Sequence, residues 1–392
     1  MNARLQAFFA RGEHKPVTDQ VLLAVVLVLL TIGLLMVASA STDVANSMLG
    51  SPLAMFFKQL VYVCMGLGCL FLMLHVPVEK LEQGSWLLLL LAIVLLVAVL
   101  VVGREINGSV RWIHLGFFNL QASEAAKLCV IIYMAAYLVR RLEEVRTQWI
   151  GFIKPMAVLS FTAFLLLLEP DFGSLVILMG AAVGMIFMAG ARLLPFAVLI
   201  LVMTLIVVLL VLIEPYRMAR LTSYMDPWSN AFGSGYQLTQ SLIAFGRGDF
   251  LGEGLGNSIQ KLFYLPESHT DFVYAVLAEE FGAVGSIIVL FLFLLVGWRA
   301  LAIGSRAEKV GLLFHGFVAY GIAILFVSQS FINLGVSTGL LPTKGIALPL
   351  VSYGGSSLLI NCIAMGILLR VDFERQVMKK TAVAGQRRHY GK

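Results

Sequence analysis

The chain has 392 residues, 60% of them hydrophobic and only 13% charged, with 28 Lys+Arg against 22 Asp+Glu and a formal net charge of +6. A mean hydropathy of +0.93 excludes an ordinary soluble domain, and at about 20 apolar residues per bilayer crossing there is room for many spans. The basic residues are spread over separate short segments, so the charge is a topology signal and not a nucleic-acid footprint.

Ten apolar runs predict membrane-spanning helices: Gln20–Ala40, Ala54–Leu74, Ser85–Val102, Glu124–Val139, Met156–Leu168, Phe172–Gly190, Leu194–Ile213, Asp271–Arg299, Gly311–Val336 and Ile346–Val371. The fifth is short and ends at Glu169-Pro170-Asp171; the eighth is over-long and starts outside the hydrocarbon. The expected fold class is an all-α polytopic membrane protein with a large extracytoplasmic loop, 214–270, between helices 7 and 8. Residues 1–19 form a cytoplasmic N-terminal segment, 20–371 one membrane domain, and 372–392 a basic cytoplasmic tail, disordered from Thr381 on. With both termini on one side, 19 of the 28 Lys+Arg fall on that side, so the positive-inside rule makes it cytoplasmic. Ala38-Ser39-Ala40 resembles a signal-peptidase site, but the apolar run before it is long for a signal peptide and reads as an uncleaved anchor. Cys64, Cys69, Cys129 and Cys362 all fall in spans without a Cys-x-x-Cys and read as buried apolar side chains.

Along the chain, polar residues concentrate at the outer ends of the spans. In Gly103–Lys127, Asn107-Gly108 marks a turn, Trp112 suits an interface, and Glu124 and Lys127 share a helix face at i,i+3. They either neutralise each other or face a substrate. Arg111, an isolated cation in a short outer loop, works against the topology bias. Glu169-Pro170-Asp171 follows, with Asp171 placed to cap the sixth span.

In the long loop, Arg217 and Arg220 at i,i+3 suit one anionic group, and Asp226-Pro227-Trp228 reads as a turn. Residues 235–245 have helical apolar spacing and predict an amphipathic helix on the outer leaflet. The glycines at 246, 248, 252, 254 and 256 lack the GxGxxG spacing and predict a flexible, close-packing loop.

Lys261, Glu267, His269 and Asp271 then lead into the eighth span, with Glu279 two turns on along nearly the same face. Capping by Asp271 is one reading, and a polar track running into the membrane at a functional site is the other and stronger one. A His and an Asp two residues apart without a third ligand are weak evidence for a metal. Between spans nine and ten, Leu340–Ser357 holds two prolines, Lys344 and the run Ser352-Tyr353-Gly354-Gly355, which predicts irregular backbone at membrane depth. One carboxylate able to act as a general base, with scattered cations for a departing pyrophosphate, suits group transfer from a polyprenyl-pyrophosphate donor. The same residues suit a transporter with a proton-relay Asp.

Five stretches carry a resemblance: NGSVRWI (Asn107–Ile113), EPDFGS (Glu169–Ser174), GYQLTQSLIAFGRG (Gly235–Gly248), YLPESHTDFVYAVLAEEFG (Tyr264–Gly282) and LPTKGIALPLVSYGGSS (Leu341–Ser357). In this order they are similar to the signatures of the SEDS family of shape, elongation, division and sporulation proteins, across nearly all of the ten-span region. The LPTKG form resembles the division-specific branch of Gram-negative bacteria. Gln121-Ala122-Ser123-Glu124 departs from the proline that many members carry at its second position, which touches a loop turn and no catalytic group.

The resemblance implies a peptidoglycan glycosyltransferase of the bacterial inner membrane, acting at the division septum and polymerising lipid II on the nascent glycan strand. Asp271 matches the family's essential aspartate. Arg111, Lys261 and Lys344 are the candidate pyrophosphate contacts. Glu267, His269 and Ser352 complete the expected substrate-binding set, with Glu124, Lys127, Arg217, Arg220 and Glu279 as secondary candidates. A divalent cation, Mg2+ or Mn2+, is a family expectation that only Asp271 and its neighbours support, and no organic cofactor is expected. Implied partners are membrane lipids, a class B penicillin-binding protein (FtsI), and FtsQ, FtsL and FtsB. The rivals are a lipid II flippase, which needs charged residues across the whole membrane, and a non-catalytic divisome scaffold.

Overall fold

The computed structural model describes residues 18–390 apart from 107–108, 115, 117 and 343–344. In chain order the elements are α1 (Gln20–Ala40), α2 (Thr42–Leu49), α3 (Ala54–His75), α4 (Val78–Gln83), α5 (Ser85–Val102), β1 (Arg104–Ile106), β2 (Ser109–His114), β3 (Asn119–Gln121), α6 (Ala122–Arg140) and α7 (Leu142–Thr147). There follow α8 (Ile150–Leu168), α9 (Phe172–Met188), α10 (Leu193–Ile213), α11 (Pro215–Met225), α12 (Tyr236–Gly248), α13 (Val273–Lys309), α14 (Leu313–Ser337) and α15 (Gly355–Tyr390). Among the described residues nine helices are long and apolar enough to cross a bilayer, and the shorter apolar α9 lies where the sixth span is expected. The chain is an integral membrane protein built as a helical bundle.

Several boundaries differ from expectation. The fifth span begins at Ile150, because Pro155 sits inside the helix instead of starting after it. The last span begins at Gly355 and not at Ile346, since the stretch before it is not helical. The chain from Thr381 to Tyr390 continues α15 as helix and is not disordered. Asp372 to Arg375 at 2.6 Å and Arg370 to Glu374 at 2.7 Å are i,i+3 and i,i+4 pairs that support this extension where it starts. Cys129 and Cys362 are buried, but Cys64 is exposed on α3, where an apolar thiol costs nothing against lipid. The bundle also carries a small antiparallel sheet, β1-β2-β3, pairing Ile106 with Ser109 and Trp112 with Gln121. The expected Asn107-Gly108 turn lies outside the described residues.

That hairpin is held down at two places. Ser356 at the start of α15 accepts from Gln121 N at 2.9 Å and donates to Asn119 O. The Arg111 guanidinium donates to Glu169 O at 3.5 Å and Pro170 O at 2.5 Å in the turn between α8 and α9. In the same turn Asp171 caps α9, accepting from Ser174 N at 3.1 Å, and takes a hydrogen bond from Ser123 of α6 at 2.8 Å. Glu169 is fully buried between them, and neither carboxyl oxygen has a hydrogen-bond partner among the described residues. Burial, and next the Asp171 carboxylate, push its pKa up to about 8 against the pull of Arg111.

The long loop 214–270 docks into a broken helix. At Gly282 the backbone of α13 leaves the helical region (φ 66°, ψ −164°), dividing it into a short N-terminal piece and a membrane-long one. The break exposes backbone groups that lipid cannot satisfy, and the loop supplies their partners. Glu253 N and Gly254 N donate to Glu279 O and Glu280 O at 2.9 and 3.1 Å, while Ala283 N and Val284 N donate to Asp249 O and Phe250 O at 2.9 and 3.2 Å. Such an approach leaves no room for side chains. A β-carbon on Gly252, at φ 81°, would lie 2.2 Å from Glu280 O. The expected close packing is met at Gly248 and Gly252, while Gly246 and Gly256 face open space. By contrast α12 does not lie alone on the leaflet: Leu238, Ser241 and Ala244 are buried, Phe245 meets Tyr274 of α13, and Ser241 donates to Ser337 O at 2.7 Å. Its apolar stripe is spent on protein.

Two outcomes are expected. Gly252→Ala should destabilise the detergent-solubilised protein by about 1–3 kcal/mol, whereas Gly246→Ala, inside α12 where an added carbon meets nothing within 4 Å, should hold or slightly raise the melting temperature. Equal melting temperatures for the two variants would refute the docking account. For Glu169, the folded carboxyl holds a proton between its ordinary pKa of 4.5 and about 8 that the unfolded chain has lost. Its stability contribution is therefore complete below pH 4.5 and drains away as pH rises to 8. Glu169→Gln should exceed wild type in melting temperature by a margin that widens from about pH 5 to pH 8 and then levels; a pH-independent margin would contradict this.

Candidate active site

Asp271 precedes α13, whose cap position is taken by Phe272, a residue that offers no side-chain hydrogen bond. What holds Asp271 is the backbone around it. Three consecutive carbonyls are each taken by a donor from elsewhere in the fold. Tyr353 N donates to His269 O at 3.0 Å, Ser352 Oγ to Thr270 O at 2.6 Å, and Asn333 Nδ2 to Asp271 O at 2.7 Å. The preceding turn is closed by Thr270 N and Phe272 N on Glu267 O, and by Thr270 Oγ1 on Glu267 Oε2 at 2.6 Å.

The donors come from the irregular segment before α15 and from α14. That segment runs at membrane depth, with Leu348, Leu350 and Val351 buried, and a β-carbon on Gly33 of α1 would lie 2.7 Å from Leu350 O. Its polar backbone is satisfied by protein, as it must be there. Asn333 Nδ2 reaches Ile346 O at 2.7 Å, Gln329 Nε2 reaches Ala347 O at 3.3 Å, Ser352 Oγ accepts from Leu348 N at 2.8 Å, and Gln59 Nε2 reaches Ser352 O at 3.2 Å. The segment then turns one glycine toward the carboxylate, so that a β-carbon on Gly345 would lie 2.9 Å from Asp271 Oδ2.

The other expected site residues divide clearly. Ser352 is at the site, but its hydroxyl is spent on backbone. His269 stands beside Tyr353, with ring centres 5.7 Å apart, and burial lowers its pKa against the opposing pull of Glu267, which keeps the imidazole neutral. Glu267 is exposed in the turn at φ 56°. Lys344 lies outside the described residues. Arg111 serves the hairpin contact described above. Arg217 and Arg220 sit on α11, whose backbone alone is described there.

Lys261 is buried, and its ammonium donates to Glu280 Oε1 at 2.9 Å, Ser39 Oγ at 2.8 Å and Gly256 O at 2.7 Å. All three protons are in use, so it is not an open pyrophosphate contact. Glu279 accepts from Arg247 Nε at 2.9 Å, Ser258 Oγ at 2.5 Å, Ile259 N at 3.1 Å and Gln260 N at 3.2 Å. Glu279 and Glu280 therefore clamp the long loop to α13. Glu124 and Lys127 neutralise each other at 2.8 Å, both buried, with Lys127 also on Gln329 Oε1 at 3.0 Å.

Sequence reasoning misses Asn333, Gln329 and Gln59. Their signal is present in the chain: an amide inside an otherwise apolar span needs a partner, and here the partners are the backbone of the site. Among the described residues no three His, Cys, Asp or Glu side chains converge as a metal cage. Asp271 alone suits the way Mg2+ is held, by one or two carboxylates with substrate phosphates and water.

Comparison with known proteins agrees with this architecture. The model of the family of cell cycle proteins represented by FtsW, RodA and SpoVE matches residues 19–377. A probable peptidoglycan glycosyltransferase FtsW of Hahella chejuensis is 54% identical over 358 residues, covering 91% of this chain and 90% of that protein. Its counterpart in Halomonas elongata is 50% identical over 391 residues, 98% of each. Among solved structures, one describing the coordination of polymerization and crosslinking by a peptidoglycan synthase complex superposes with a TM-score of 0.75 at 28% identity, covering 92% of this chain and 98% of that one. The rod shape determining protein RodA of Thermus thermophilus superposes with a TM-score of 0.68 at 26% identity and the same coverage. With a family model spanning most of its length and relatives at half identity, the chain belongs to the FtsW/RodA/SpoVE family of cell cycle proteins.

Proposed function

We propose that the protein is a peptidoglycan glycosyltransferase that polymerises lipid II on the outer face of the cytoplasmic membrane, with Asp271 as general base. The observation that supports this reading is the triple backbone hold on residues 269–271, which fixes the main chain that carries Asp271 against the irregular segment before α15. In the step, an Asp271 oxygen takes the proton of the 4-hydroxyl of the acceptor's terminal N-acetylglucosamine. The hydroxyl oxygen attacks the anomeric carbon of the N-acetylmuramic acid on the polyprenyl-linked strand. The bond from that carbon to the pyrophosphate breaks, and undecaprenyl pyrophosphate leaves with the electron pair. Attack opposite the leaving group inverts the centre and gives the β-1,4 linkage, and Asp271 returns its proton to water.

A divalent cation, Mg2+ or Mn2+, would take most of its ligands from the two pyrophosphates and water, with Asp271 as its protein carboxylate, and would offset negative charge on the leaving group. The likeness to a chain of a peptidoglycan synthase complex supports a class B penicillin-binding protein (FtsI) as crosslinking partner, with FtsQ, FtsL and FtsB as further septal partners. The basic-residue asymmetry supports cytoplasmic termini.

Asp271→Asn keeps size and removes the base. Polymerisation of labelled lipid II by the purified protein with its partner should fall roughly 10²–10⁴-fold, with folding and partner binding retained. Strand synthesis at the wild-type rate would make Asp271 structural and turn attention to transbilayer transport of lipid II. Gly345→Val should likewise lower the turnover number at least tenfold, because the added carbons press on Asp271 Oδ2. Unchanged turnover with an unchanged melting temperature would show that the carboxylate does not work from this position.

A further inference from the structure

Beside Asp271 lies a group of side chains that the glycosyl-transfer step does not use, and the role assigned to them rests on the glycosyltransferase reading. Gln59 and Tyr62 stand one turn apart on α3. Phe118 comes from the hairpin, His269 from the segment before α13, and Tyr353 from the irregular segment. The Tyr62 and Phe118 rings meet edge to face at 6.0 Å, and His269 and Tyr353 at 5.7 Å. Gly355 forms the floor under the first pair, where a β-carbon would lie 3.0 Å from both rings. Next to it the position at Gly354 opens onto space, with nothing within 4 Å of an added carbon.

Two buried polar atoms in this group have no hydrogen-bond partner among the described residues. They are Gln59 Oε1, on a fully buried side chain whose nitrogen is spent on Ser352 O, and His269 Nδ1. An unpartnered buried amide oxygen is costly and calls for a donor. None of the five side chains supplies a cation: burial lowers the His269 pKa and keeps the imidazole neutral, and glutamine, tyrosine and phenylalanine side chains carry no positive charge. The group therefore does not suit a phosphate. Aromatic faces with polar edges do suit a pyranose, which presents an apolar C–H face and a hydroxylated rim.

We propose that Gln59, Tyr62, Phe118, His269 and Tyr353 form the subsite for the acceptor sugar. The ring of an N-acetylated pyranose stacks on the aromatic wall, its acetamido N–H donates to Gln59 Oε1, and a rim hydroxyl meets His269 Nδ1. The assignment to the acceptor follows from connectivity. His269 is two residues before the base, and Tyr353 N holds His269 O, so the sugar bound here is the one whose hydroxyl Asp271 deprotonates.

The test is equilibrium binding to the full-length Asp271→Asn protein in nanodiscs, where turnover does not interfere. Two probes are compared: lipid II, and undecaprenyl pyrophosphate, which lacks the sugars. Gln59→Leu and Tyr353→Leu should each weaken lipid II at least tenfold and leave undecaprenyl pyrophosphate within twofold; Tyr353→Phe, which keeps the ring, should lose less than Tyr353→Leu. Parallel weakening of both probes, or of neither, overturns the subsite. Sugar-dependent binding without polymerisation by the unsubstituted protein retires the glycosyltransferase reading and leaves the subsite standing. Polymerisation without sugar-dependent binding does the reverse.

Discussion

The structure turns on the need to satisfy irregular backbone inside a membrane. A chain that stays helical satisfies its own amides and carbonyls, and one that leaves the helix must find partners in protein or water. Around Asp271 two non-helical segments meet, 265–272 and 345–354, and they satisfy each other. Ser352, Tyr353 and Asn333 take three successive carbonyls of the first, while Asn333, Gln329 and Gln59 hold the second. A carboxylate mounted on such a strip has little freedom to wander, which is what a base needs if it is to stay within reach of one hydroxyl.

The same accounting explains the outer loop. The break at Gly282 would leave α13 with unmet backbone groups, and residues 249–254 fill it from the side. Because the loop is bound through backbone, Gly248 and Gly252 are required by proximity. Glu279 and Glu280 secure the dock from the helix side, one with four donors and the other with Lys261. Charge at the membrane edge is here a structural fastening, with Asp19 and Arg299 joining α1 and α13 at the other end.

Much of this is legible in the chain. Apolar run length is a local property, so seven of the ten expected spans match helices to within two residues at both ends, and Asp171 is the helix cap that its position predicts. Asp226 also makes the expected turn, accepting from Ser229 N at 3.2 Å. The errors share one cause. Ile346–Leu350 is apolar enough to read as the start of a span, and residues 236–245 are amphipathic enough to read as surface-bound, because hydropathy reports affinity for an apolar medium without saying whether that medium is lipid or protein.

Hydropathy by itself determined a bundle of apolar helices, nine of them among the described residues long enough to cross a bilayer, and the motif run determined the family resemblance. Only the tertiary structure decided which ionisable groups are committed elsewhere. Lys261, Glu279, Glu124, Lys127 and Arg111 stand as candidates behind Asp271 along the chain, yet each is tied to partners 3 to 222 residues away. The buried polar side chains that hold the backbone at Asp271 stand apart from it in sequence, Asn333 by 62 residues and Ser352 by 82 from Thr270. Hydrogen-bond partners are chosen by distance in space, and a sequence gives distance only along the chain.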